Sequence, residues 1–108
     1  MMLVTTESIA EFRVVKTLGL VRGNTVRSRH LGRDIMAVLR NIVGGEVHDY
    51  TKMMAESREQ ALDRMIEEAE SLGANAVVKV KFATSDMMQG AAELLVYGTA
   101  VVVEEMNP

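Results

Sequence analysis

Over residues 12–22 apolar side chains follow the two-residue alternation of an extended chain, with Phe12, Val14, Leu18 and Leu20 on one face and Val15, Thr17 and Val21 on the other. The pattern predicts a strand buried in part on both faces. Gly23 and Asn24 come next; both residue types tolerate the positive φ of a tight reversal, so a turn is expected there. The period then changes. From 32 to 43, Ile35, Met36, Leu39, Ile42 and Val43 recur at three and four residues, the spacing that stacks side chains on one side of a helix, and Gly44-Gly45 ends it. A longer helix is predicted over 49–72, with Met54, Ala61, Leu62, Met65, Ala69 and Leu72 inward and Glu56, Glu59, Asp63, Glu67 and Glu70 outward as a solvated face, stopped by Gly73.

Val78, Val80 and Phe82 alternate with Lys79 and Lys81 over 76–82, which predicts a strand with one wet face. Residues 83–91 read as a loop, and 92–103 as a last strand that is apolar on both faces. The resulting order is β-α-α-β-β in one α+β domain spanning 1–108: a small, mostly antiparallel sheet with two helices on one face. Two helices on one side would leave the other face of the first and last strands bare. An apolar face of that size calls for another copy of the same chain.

Composition narrows the chemistry. The 108 residues hold no cysteine, which removes disulfides, thiolate metal sites and thiol nucleophiles. With no tryptophan, two tyrosines and two phenylalanines, the core must be built from aliphatic residues and methionine. The first twelve residues carry two acids and lack the basic start and apolar run of a secretory signal, and no stretch is long and apolar enough to span a membrane, so a cytoplasmic protein is expected. The net charge of −3 is unevenly spread. Residues 13–40 hold seven lysines and arginines against Asp34, while 46–70 hold eight acids against Lys52, Arg58 and Arg64. The acidic total, without a basic strand interleaved with aromatics, argues against nucleic acid as a partner.

Five segments together carry a resemblance: Val21-Arg22-Gly23-Asn24; Arg29-His30-Leu31-Gly32-Arg33-Asp34; Gly44-Gly45-Glu46 with Tyr50-Thr51; Gly73-Ala74-Asn75-Ala76-Val77; and Tyr97-Gly98-Thr99-Ala100-Val101. In this order, from about residue 2 to 104, the chain resembles the YbjQ-like family of bacterial and archaeal proteins, which also carries the label of a heavy-metal-binding domain. The resemblance implies a dodecin-like α+β subunit that assembles as a homopentameric ring. It brings no catalytic or ligand residues with it.

Two clusters are candidates for chemistry. Arg22, Arg27, Arg29, His30 and Arg33 surround the entry to the first predicted helix, where free N–H groups and the positive dipole end would favour a phosphate or carboxylate. The plainer reading is that these arginines pair with the acidic helix of the same or a neighbouring subunit and fix the register of assembly. For a divalent metal, His30 and Asp34 stand four apart, and Glu46, His48 and Asp49 cluster between the helices, so a site would need donors from a second subunit. Soft heavy metals prefer thiolate, and Met53-Met54 and Met87-Met88 serve more readily as core filler. No serine sits in a nucleophile-elbow pattern and no glycine loop has phosphate-binding spacing. The expected protein is therefore a non-enzymatic homo-oligomer that binds a small anionic ligand through Arg27, Arg29, His30 and Arg33, with no cofactor predicted. The alternatives are a metal protein using His30, Asp34 and His48 across subunits, and an enzyme with its active site at the subunit boundary.

Overall fold

A computed structural model of the chain describes residues 1–28, 48–86 and 91–107. Four strands form one mixed sheet: β1 (Met2–Leu3), β2 (Phe12–Ser28), β3 (Ala76–Asp86) and β4 (Ala91–Glu105), in the spatial order β1-β3-β4-β2. The pairs β2–β4 and β3–β4 are antiparallel and β1–β3 is parallel. One helix, α1 (His48–Ser71), lies among the described residues, over β2 and β4. The first predicted helix, its Gly44-Gly45 stop and the Met87–Gly90 part of the predicted loop lie outside the described residues.

The turn expected at Gly23-Asn24 is not there; β2 runs straight through both residues and pairs with β4 as far as Ser28 opposite Ala91. Gly23 serves the packing instead of a reversal. A Cβ built on it would stand 2.0 Å from the Ala61 carbonyl oxygen and 2.6 Å from the Met65 backbone nitrogen, so glycine is what lets the helix backbone settle onto the strand. The helix matches this with a narrow buried row at four-residue spacing, Ser57, Ala61, Met65 and Ala69. Three of those four side chains are small, and Ala61, Met65 and Ala69 close with Val21, Val77, Val80, Val96 and Ala100 into the main core. Thr25 Oγ1 donates to the Ser57 carbonyl at 3.4 Å and Arg64 donates to the Asn24 carbonyl, which ties the same two elements at their polar rim.

Gly73, at φ +88°, closes α1 as expected. The Gly73 and Ala74 amides donate to the Glu70 and Ala69 carbonyls, each at 3.0 Å, the paired bonds of a Schellman cap that a left-handed residue permits. Leu72 therefore sits past the last helical turn and is 47% exposed, not part of the inward stripe. Asn75 then fastens the turn to β4 by exchanging two side-chain hydrogen bonds with the backbone of Val103, at 2.8 and 3.0 Å.

The second face of the sheet is covered at one end. Met2, Val4, Ile9 and Phe12 of the amino-terminal segment pack on Ala76, Val78, Val101 and Val103, and the segment is held to β3 by bonds such as Val4 N to Val77 O at 3.0 Å. Two irregularities in β2, between Val14 and Lys16 and between Thr17 and Gly19, break the expected alternation and turn Leu18 toward the main core. A third, between Val78 and Lys81, centres on Lys79 at φ +53°. Lys79 and Lys81 face water as predicted, but Phe82, expected inward, is 48% exposed. The loop predicted over 83–91 is shorter than expected: Ala83 to Asp86 continue β3, and Ala91 begins β4.

What remains uncovered is the outer border of β2. Among the described residues that strand bonds only to β4, and Val14, Val15, Leu20 and Val26 along it are 45, 45, 63 and 51% exposed. On the opposite side of the sheet, β1 and the residues after it flank β3 only as far as Val80.

Gly23→Ala is expected to lower stability by about 2–3 kcal/mol, the usual cost of overpacking against groups that cannot move aside, because the obstructing atoms are helix backbone. Arg22→Ala, one residue away and exposed, should stay within about 0.5 kcal/mol of the parent. Parallel thermal melts check the pair.

Candidate functional site

The basic cluster is only partly on view. Arg22 lies in the middle of β2 with an exposed side chain, opposite Tyr97 of β4. Arg27 is the last residue but one of β2, opposite Ala92. Arg29, His30, Arg33 and Asp34 lie outside the described residues, and His48 is the first residue of α1.

The register of the sheet shows which neighbours Arg22 has. Residues directly opposite in antiparallel strands share a face, and Val21, Gly23 and Thr25 face α1. Arg22 therefore stands on the face turned away from the helix. The acidic row Glu56, Glu59, Asp63, Glu67 and Glu70 is exposed on α1 across the sheet from it. Among the described residues the ion pairs are Arg13 with Glu104 at 3.6 Å and Lys79 with Glu7 at 3.2 Å, and neither joins the basic strand to the acidic helix. This placement sets Arg22 on the other face of the sheet from the α1 row within one subunit.

One arrangement was missed by inspection of the sequence. Tyr97 is the partner of Arg22 on one side and of Lys81 on the other, so Arg22, Tyr97 and Lys81 form a straight row across β2, β4 and β3 on the face away from α1. Each is about 5 Å from the next, the spacing of adjacent strands. Arg22 and Lys81 are exposed and Tyr97 is half-buried. Farther along the same face, Asn24, two residues on from Arg22, and Glu93, four residues from Tyr97, add a diagonal polar pair, Asn24 Nδ2 donating to Glu93 Oε2 at 3.0 Å. The three residues are 59 and 16 positions apart in the chain, 22 to 81 and 81 to 97, so only the register makes the row legible.

Metal chemistry is poorly served by what is described. No group of three histidine, aspartate or glutamate side chains comes together among the described residues, and the whole chain has no thiolate to offer a soft ion. No helix among the described residues is long and apolar enough to cross a membrane.

Comparison with known proteins places this architecture. A family model described as "Putative heavy-metal-binding" matches residues 1–104. A UPF0145 protein of Thermococcus kodakarensis is 61% identical over 96% of this chain and 92% of its own length. Another, of Dehalococcoides mccartyi strain BAV1, is 53% identical over 96% of this chain and the whole of the relative. Among solved structures, a protein of unknown function from Pediococcus pentosaceus, of the DUF74 family, superposes with a TM-score of 0.63 over 96% of this chain and 98% of that one. At 15% identity it speaks for the fold alone. Sequence resemblance over five segments, a model match across nearly the whole length and close relatives of the same size agree: the chain belongs to the YbjQ-like, UPF0145 family.

Proposed function

We propose that the chain works as a homo-oligomeric, non-enzymatic binding protein whose subunits join along the outer border of β2 and hold a small anion at their boundaries. The observation that carries this reading is the edge itself. β2 is 17 residues long, is paired on one side only among the described residues, and carries Val14, Val15, Leu20 and Val26 in contact with water. Long, apolar, unpaired edges template further strand pairing, and soluble proteins ordinarily shorten, charge or cover them. Among the described residues the sheet has a second, shorter open border where β3 runs on past Val80. Two different borders on one subunit suit a head-to-tail contact, which closes into a ring when the rotation per subunit divides a full turn. The homopentamer implied by the family resemblance is one such closure.

The anion site follows from the same element. β2 ends at Arg27-Ser28 and leads directly into Arg29, His30 and Arg33, so a boundary along β2 would collect these cations from one subunit beside the next. We assign ligand binding to Arg27, Arg29, His30 and Arg33. A second reading, a divalent metal held by His30, Asp34 and His48 across subunits, draws on the heavy-metal description of the family, against the want of soft donors described above.

Three measurements check these readings. Native mass spectrometry should show a single multi-subunit species, and the double substitution Leu20→Lys with Val26→Lys should convert it to folded monomers. Melting temperature should rise by several degrees when phosphate or a small organic acid saturates the protein, since a hundredfold excess over Kd is worth about 2.7 kcal/mol. That rise should vanish with Arg29→Gln and Arg33→Gln combined. Titration of zinc, nickel and copper into chelator-treated protein should give no stoichiometric heat; a stoichiometric signal lost with His30→Ala would turn the assignment to the metal.

A further inference from the structure

We infer that the row Arg22–Tyr97–Lys81 is a platform for a nucleoside monophosphate, with the base laid on Tyr97 and the phosphate held by the flanking cations. The inference rests on the reading of this chain as an anion-binding protein and adds a ligand class and a location that reading does not name.

Three features of the face converge. First, Tyr97 is the middle of the row and its neighbour two residues along, Leu95, is also half-buried, so a flat apolar seat lies between the outer strands. An exposed aromatic face on a sheet accepts a base by stacking, and by alanine substitution such contacts contribute about 1–3 kcal/mol each. Second, both flanking cations are uncommitted among the described residues. Arg13, Arg64 and Lys79 have partners in Glu104, the Asn24 carbonyl and Glu7, whereas Arg22 and Lys81 are exposed and reach no acid there. An arginine offers a planar fork to two phosphate oxygens and a lysine a single movable charge, and the two stand about 10 Å apart across the three strands. Third, the Asn24–Glu93 pair lies on the same face beside the seat and presents an amide and a carboxylate to the edge of a base.

A bare phosphate would use the cations but not Tyr97. An aromatic carboxylate would use the ring and cations but not the Asn24–Glu93 edge. The nucleoside monophosphate uses all three. The site is also compatible with assembly along β2, because strand-to-strand pairing lies in the plane of the sheet and leaves its faces open.

The test is isothermal titration calorimetry of the intact, native assembly with AMP and GMP at low ionic strength, with inorganic phosphate as the comparison. At least one nucleotide should bind, more tightly than phosphate. Arg22→Gln and Lys81→Gln should each weaken it five-fold or more, Tyr97→Phe should bind within two-fold of the parent, and Tyr97→Leu should lose the advantage over phosphate. Arg22→Gln is an exposed change and keeps the test decisive even where Tyr97→Leu perturbs folding. The inference is overturned by the absence of nucleotide binding at millimolar concentration, or by binding that Arg22→Gln leaves unchanged. Phosphate binding as tightly as either nucleotide and weakened equally by Arg22→Gln would overturn it too. Native mass spectrometry of the same samples reports the subunit number separately, so loss of the platform and loss of the oligomer give different results.

Discussion

The backbone of α1 rests on the backbone of β2 at Gly23, and most of the molecule is arranged around that contact. With 2.0 Å between a hypothetical Cβ and the Ala61 carbonyl oxygen, any side chain at position 23 would force the helix away. Close approach is what allows a core made of valine, alanine and methionine to exclude water without large aromatics, since small side chains fill only a thin layer. The same contact decides which face of β2 is covered and which is open. It directs Val21 and Thr25 toward the helix and Leu20, Arg22 and Val26 away from it.

The amino-terminal segment completes the other side, but only at one end of the sheet. Where Met2, Val4, Ile9 and Phe12 lie on Ala76, Val78, Val101 and Val103, the two faces are both dry. Beyond them no other described segment packs on that face of the three long strands, and the molecule is elongated, 59 Å along its longest axis against 20 Å along its shortest. A polar row across β2, β4 and β3 is tolerable there because the cations stand in water. The apolar surplus is concentrated on β2, the strand with no partner on its outer side among the described residues. Both proposals, assembly along the edge and a ligand on the adjoining face, follow from that division.

The sequence made the longer helix, the last strand and the Gly73 stop legible, because hydrophobic period and a left-handed glycine are local properties. It misled at Gly23-Asn24, where a turn-forming pair is in fact the place a helix presses on a strand; nothing local distinguishes a glycine needed for φ from one needed for lack of a Cβ. Strand ends were also drawn too short, at 82 and 92 where pairing continues to Asp86 and from Ala91, since polar residues at 84–86 lower strand propensity but bond well once β4 is alongside. The bulges in β2 and at Lys79 shift side chains between faces, which is why Leu18 and Phe82 were assigned to the wrong surroundings. Of the candidate site, Arg22 was recognised as a cation near a basic cluster, yet its partners Tyr97 and Lys81 depend on register between distant strands. The apolar surplus expected on a bare sheet face lies on β2 in part, where Leu20 and Val26 are exposed on the face turned away from α1.

Residue-resolved amide hydrogen exchange on the native protein tests the edge most directly. The amides of β2 that point away from β4 should be as protected as those that point toward it, because in the assembly both sets are hydrogen bonded. Alternating protection along the strand, with the outward amides exchanging at the rate of an unstructured peptide, would contradict the account.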